Sequence, residues 1–174
     1  MIIGISGKML SGKDTIANII KDIHPEYNII HFADGLKSTV ADLCGLNWYD
    51  VNTQTGKKEF VSWLDNMTVR ELLQKFGTAI RKEVHPDFWV RTTMQDIYGM
   101  DNVIIPDVRF SNEKKAIEDK GGIVIRVERP NIEQMDHESE IALDNYSFKY
   151  TIYNNGTLED LSKKVEELIS HLKL

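Results

Sequence analysis

Ile2-Ile3-Gly4-Ile5-Ser6-Gly7-Lys8-Met9-Leu10-Ser11-Gly12-Lys13-Asp14-Thr15 is the stretch that decides the fold. Its first part, Ile2 to Ser6, is a short apolar run that reads as a buried strand. It passes directly into Gly7-Lys8-Met9-Leu10-Ser11-Gly12-Lys13, a match to G-x-x-x-x-G-K. From Thr15 to Asp22 the apolar residues Ile16, Ala17, Ile19 and Ile20, with Ile23 beyond, follow helical spacing. Strand, glycine-rich turn and helix in that order place a phosphate-binding loop. Glycines let several backbone N–H groups converge on anionic oxygens. The helix start adds its positive end, and Lys13 adds a point charge for the β- and γ-phosphates of a nucleotide. The competing reading is a plain glycine-rich turn; its position straight after the first strand favours phosphate.

One position departs from the pattern. Ser or Thr normally follows the lysine and binds Mg²⁺ through its hydroxyl; here Asp14 stands there, with Thr15 next. A carboxylate is a good ligand for Mg²⁺ or its waters, so Asp14 is a candidate metal ligand with altered geometry. The candidate nucleotide-binding set is Gly7, Lys8, Ser11, Gly12, Lys13, Asp14 and Thr15.

Outward from this loop, strands and helices alternate. Asn28 to Phe32 reads as a second strand and Leu36 to Cys44 as a helix. Gly45 to Asn66 loses periodicity and reads as a loop or small insertion. Val69, Leu72, Leu73, Phe76 and Ile80 form a helical stripe with Thr68 as its N-cap. A helix is expected over Pro86 to Tyr98 with Pro86 in its first turn. A third strand is expected over Asn102 to Pro106, and a helix over Asn112 to Lys120 closed by Gly121-Gly122. Ile123 to Val127 reads as the fourth strand and Arg129 to Asn145 as polar and irregular. Tyr150 to Tyr153 reads as the fifth strand and Leu158 to Leu172 as an amphipathic closing helix. Asn154-Asn155-Gly156 reads as a turn, with Thr157 as cap. This alternation predicts an α/β fold: a five-stranded parallel sheet with helices on both faces, whose ligands bind beyond the carboxyl ends of the strands.

Asp107 ends the apolar run Val103-Ile104-Ile105-Pro106. In P-loop proteins a carboxylate there helps hold Mg²⁺, which makes Asp107 a second candidate metal ligand; a turn-forming Asp is the alternative. Arg109, two residues on, suits bidentate capture of a phosphate, against the plainer reading of an Asp–Arg surface pair. Lys37 and Arg129 also follow strands, and Arg70 and Arg81 lie on the helix of Leu72 and Phe76. A phosphate acceptor is largely dianionic at neutral pH, so its phosphorylation needs cations and alignment rather than a general base.

Composition narrows the partners. The 174 residues carry a formal charge of −6 and a pI near 5.4, with 41% hydrophobic and 28% charged residues. That suits one globular domain over 1–174 and offers no basic excess for a nucleic-acid backbone. The single cysteine, Cys44, excludes an internal disulfide framework and points to a reducing cytoplasm; in its apolar surroundings it reads as a buried small residue, not a nucleophile. The apolar start, Met1 to Ile5, is too short for a membrane or signal segment.

Several segments together resemble the deoxynucleoside monophosphate kinases of the kind bacteriophages encode. They are Gly7 to Thr15, Phe32-Ala33-Asp34-Gly35-Leu36-Lys37, Val69 to Thr78, Phe88-Trp89-Val90, Ile105 to Arg109, Val127-Glu128-Arg129-Pro130, His137-Glu138-Ser139-Glu140 and Ile152 to Leu158. The resemblance implies a P-loop kinase fold using ATP and Mg²⁺, with an acceptor-binding helical region over 33–90 and a lid over 129–145. It implies that Arg70 binds the acceptor phosphate, with Asp34, Lys37, Gln74, Thr78, Trp89, Asp107 and Arg109 on the acceptor side. Lys13, Arg70, Arg109 and Arg129 become the catalytic cations. Asn154, Asn155 and Gly156 would pack near adenine, and the family suggests a homodimer. His137, Glu138 and Glu140 read as part of the polar lid rather than a metal cluster. Phosphomevalonate kinases of animal type and dephospho-coenzyme A kinases share features of this pattern. A regulatory P-loop ATPase is a further alternative, disfavoured by the cations beyond the P-loop.

Overall fold

The computed structural model describes residues 1–132 and 137–172; residues 133–136, inside the expected lid, lie outside the described residues. In chain order the elements are β1 (Ile2–Gly7), α1 (Lys13–Ile23), β2 (Asn28–Ile29), α2 (Asp34–Cys44), α3 (Trp48–Asn52), a 3₁₀ turn (Gly56–Lys58) and α4 (Val69–Ala79). A π-turn (Ile80–Val84), α5 (Phe88–Asp96), β3 (Val103–Val108), α6 (Ser111–Asp119), β4 (Ile123–Glu128), α7 (Glu138–Ile141), β5 (Tyr150–Tyr153) and α8 (Leu158–Leu172) follow. They form two compact units, one of Met1–His31 with Ile97–Leu174 and the other of Phe32–Asp96.

The first unit is a parallel five-stranded sheet in the order β2-β3-β1-β4-β5. β1 lies in the middle, paired on both edges, and Ile3 and Ile5 are fully buried. That explains its unbroken apolar run, because a central parallel strand is covered on both faces. Ile16, Ala17 and Ile20 of α1 share one core with Leu161, Val165 and Ile169 of α8. On the other side of β1, α6 packs so closely that a Cβ at Gly4 would meet Ile117 Cδ1 at 2.7 Å. A side chain there would require Ile117 and its valine neighbours to shift.

The third strand does not stop at Pro106. It continues to Val108, with a slip in register between Gly4–Ile105 and Ser6–Val108. Proline has no N–H for the ladder, so β3 inserts one extra residue around Pro106 and Asp107 and then resumes pairing. β2 is shorter than expected and ends at Ile29.

The second unit is helical. Its core is Val40, Val51, Val61, Val69 and Leu73, and Cys44 packs against it half-buried rather than fully enclosed. The segment 45–66, expected as a loop, contains α3 and the 3₁₀ turn. Asn47 starts α3 with a reciprocal capping box to Asp50, and Thr68 does the same for α4 with Glu71. α5 begins at Phe88, so Pro86 precedes the helix instead of sitting in its first turn. His85 turns the chain there, its carbonyl accepting from Phe88 N–H and its Nδ1 from Asp87 N–H. No helix among the described residues is long and apolar enough to cross a membrane.

Candidate active site

β1 carries Gly7 to the carboxyl edge of the sheet, where the chain folds back on itself before α1. Leu10 and Gly12 take positive φ of 64° and 103°. At Gly12 a Cβ would be strained and would also meet Asn154 Nδ2 at 2.6 Å. Ser11 N–H donates to Lys8 O (3.2 Å) and closes the loop. The Ser11 hydroxyl is buried and has no hydrogen-bond partner among the described residues. Such an orphan hydroxyl in a G-x-x-x-x-G-K loop fits a loop built for phosphate oxygens.

Lys13 is 6% exposed and donates Nζ to Lys8 O at 2.6 Å. Burial first, and the Arg109 charge second, bring it down to about 7 from 10.5, against the opposing pull of Glu140, Asp14 and Asp107. Four charged groups, Arg109, Glu140, Asp14 and Asp107, therefore act on one ammonium. A polyanion placed there would restore the full charge of Lys13. Asp14 stands in the first turn of α1 with an exposed side chain, its Oδ1 3.8 Å from His31 Nε2. Thr15 follows it, half-buried. Asp107 and Asp14 can supply carboxylates to a metal ion. Among the described residues no group of three or more His, Cys, Asp or Glu side chains forms a self-sufficient metal site.

Arg129 bonds the loop directly, and Arg109 is linked to it through Glu140. Arg129 Nη1 donates to Leu10 O at 3.1 Å. Arg109 follows β3 and is held from two sides. Its main-chain N–H donates to the buried Glu113 carboxylate at 2.6 Å, and its Nη1 pairs with Glu140. Asn154 Nδ2 donates to Ser11 O at 2.9 Å, which places the turn after β5 against the phosphate loop. Asn155 is held by Lys164 Nζ at 2.8 Å, and Gly156 approaches the Asp160 carboxylate. Lys8 pairs with Asp144 at 3.2 Å, and Asp144 also accepts from Arg126 at 2.8 Å. A cavity of about 380 Å³ beside the loop is lined by Lys8, Ser11, Arg126, Arg129 and Asp144, among others.

In the second unit, Arg70, Gln74 and Thr78 stand four residues apart on α4 and so form one row along its surface. Arg70 Nη2 donates to Gln54 Oε1 at 2.7 Å, and Arg81 donates to Thr78 Oγ1 at 3.3 Å. Lys37 does not stand directly after β2; it lies in the first turn of α2, 3.8 Å from Asp34. Leu36 of α2 packs against Gly77 of α4. Trp89 is buried, and its indole donates to Gly77 O at 3.2 Å.

Sequence reasoning passed over Glu113, Arg126 and Asp144, and read Glu140 only as part of a polar lid. One signal was present: Arg126 interrupts the otherwise apolar Ile123-Val124-Ile125-Arg126-Val127, and a charge inside a buried strand demands a partner. The partners themselves, 18 residues away for Asp144 and 31 from Arg109 for Glu140, have no local pattern.

A family model described as deoxynucleotide monophosphate kinase matches residues 36–165. A protein of Acanthamoeba polyphaga mimivirus that bears the deoxynucleotide monophosphate kinase name is 30% identical over 95% of this chain and 94% of its own length. The deoxynucleotide monophosphate kinase of Escherichia phage RB69 is 26% identical over 72% of this chain and 54% of its own. Among solved structures, shikimate kinase from Aquifex aeolicus superposes with a TM-score of 0.55 at 13% identity, covering 99% of this chain and 98% of that one. Dephospho-CoA kinase from Campylobacter jejuni gives 0.53 at 14%, covering 98% and 96%. At those identities the structures establish a shared P-loop kinase fold.

Proposed function

The chain belongs to the deoxynucleotide monophosphate kinase family, and we propose that it transfers the γ-phosphoryl group of ATP to the 5′-phosphate of a deoxynucleoside monophosphate. The observation that carries this reading is the phosphate loop, whose buried Lys13, orphan Ser11 hydroxyl and flanking Arg109 and Arg129 form a polyanion site. The bond between the γ-phosphorus and the β,γ-bridging oxygen breaks. A new bond forms to an oxygen of the acceptor phosphate, giving a deoxynucleoside diphosphate and ADP. The acceptor is already a dianion, so no proton need be removed from it.

In this reading Gly7, Lys8, Ser11, Gly12, Lys13 and Thr15 hold the donor phosphates, and the turn Asn154-Asn155-Gly156 lies towards the base. Lys13, Arg109 and Arg129 oppose the charge that spreads over the transferred group. Asp14 and Asp107 would hold Mg²⁺ brought in with the nucleotide, where it neutralises phosphate charge. Arg70 would bind the acceptor phosphate, with Asp34, Lys37, Gln74, Thr78 and Trp89 of the second unit shaping the acceptor pocket. We place the enzyme in the cytoplasm as a homodimer, a state that light scattering on the purified protein would check.

The test is ADP formation from Mg-ATP across deoxy- and ribonucleoside monophosphates, with phosphomevalonate and dephospho-coenzyme A as controls. Stimulation by one or a few deoxynucleotides is expected. Lys13→Ala should abolish turnover. Arg70→Ala should raise the acceptor KM about tenfold or more while ATP binding survives. Stimulation only by a control, or unchanged acceptor kinetics in Arg70→Ala, would overturn the corresponding assignment.

A further inference from the structure

Arg109 would not take a useful position by itself. It leaves β3 just past the register slip at Pro106 and Asp107, on a connection only two residues long before α6. Two carboxylates hold it. Glu113, buried in the first turn of α6, accepts the main-chain N–H groups of Arg109 (2.6 Å) and Phe110 (2.9 Å). Glu140, on the short helix α7, pairs with Arg109 Nη1, and the Ser139 carbonyl lies 3.5 Å from the same nitrogen.

Glu140 has a second attachment. Its other oxygen, Oε2, accepts Met9 N–H at 2.7 Å, so the same carboxylate grips the phosphate loop itself. Its side chain is only 9% exposed. A carboxylate removed from water this far needs both bonds to be stable, and losing either would leave a charge or a donor unsatisfied. One side chain thus joins three elements: the loop after β1, the segment after β3 and α7. Asp144, three residues beyond α7, repeats the arrangement on the cavity side through Lys8 and Arg126.

We propose that Glu140 is a positioning residue that aligns the Arg109 guanidinium with the phosphate loop. Pinning Nη1 fixes the plane of the guanidinium, and the remaining N–H groups on Nε and Nη2 are then presented in a set direction for a phosphate oxygen. Because Oε2 is bound to Met9 N–H, that direction is referenced to the loop and hence to Lys13. A freely rotating arginine of equal charge would bind phosphate but lose the alignment that phosphoryl transfer depends on. This inference rests on the kinase reading above.

The experiment uses the full-length protein and begins with acceptor-dependent turnover of the wild type; absence of any turnover there would refute the kinase reading, not the role of Glu140. Glu140→Gln keeps an acceptor for Met9 N–H and removes the ion pair. We expect kcat to fall about tenfold or more, with ATP KM changed less than about threefold and cooperative unfolding retained at a somewhat lower melting temperature. In an Arg109→Ala background the same substitution should change kcat less than about twofold, because the group it positions is gone. An equal loss in both backgrounds would assign Glu140 a purely structural role. Unchanged kcat with tighter ATP binding would make it instead a competitor for the phosphate site, and either result overturns the proposal. If Glu140→Gln fails to fold, Glu140→Asp, which keeps the charge at shorter reach, should lower kcat while retaining cooperative unfolding.

Discussion

Lys13 concentrates the physics of this protein in one side chain. Its ammonium is buried, donates to Lys8 O and feels the Arg109 charge, and its pKa falls to about 7 from 10.5. Between those limits the unfolded chain holds a proton that the folded chain has released. Stability therefore rises with pH across that window, and below about 7 the folded protein bears the full cost of the buried charge. Lys13→Met removes that cost. In thermal or urea unfolding the variant should be more stable than the wild type at pH 6. The gain should shrink by on the order of 2–3 kcal/mol by pH 9, since each unit within the window is worth about 1.4 kcal/mol. A gain independent of pH would mean that Lys13 is not the titrating group. At the same scale Asp14 departs from the usual hydroxyl after the lysine, and the structure gives it an exposed place at the start of α1. A carboxylate of that kind can meet a hydrated ion without desolvation.

At the scale of elements, caps and glycines explain where segments start and stop. Thr68 and Glu71 satisfy each other's backbone donors, and α4 then carries Arg70, Gln74 and Thr78 along one row. Thr68→Ala should cost about 1 kcal/mol in urea unfolding. If α4 is what orders that row, the same variant should also raise the acceptor KM. An effect on stability alone would show that packing of Val69 and Leu73 suffices to hold the helix. The Thr68 cap was legible because a hydrophobic stripe followed it. The equivalent box at Asn47 and Asp50 was not, because α3 is five residues long and leaves no periodicity to read. Pro106 misled in the opposite direction. A proline ordinarily ends a strand, but β3 absorbs it with one extra residue and continues through Asp107 to Val108, just before Arg109.

For the whole molecule, burial predicts an order of stability. β1 is paired on both edges and its Ile3 and Ile5 are fully buried, as are Ile104 and Ile105 of β3. Amide exchange should be slowest in β1, β3 and β4, and faster in α3 and the 3₁₀ turn, which rest on a core of five buried residues. Equal protection in α3 and β1 would show that both units open only together. The parallel sheet, the phosphate loop with Lys13, the cation after β3 and the closing helix Leu158–Leu172 are legible in the chain alone, because each is written in local spacing and periodicity. Which partners those groups keep depends on how the chain packs. Glu113 and Glu140 hold Arg109, Asp144 joins Lys8 to Arg126, and Asn154 reaches back 143 residues to Ser11. These pairings come from strand order and crossover, which bring distant segments to one sheet edge, and charge satisfaction there is a property of the packed site rather than of any stretch of chain.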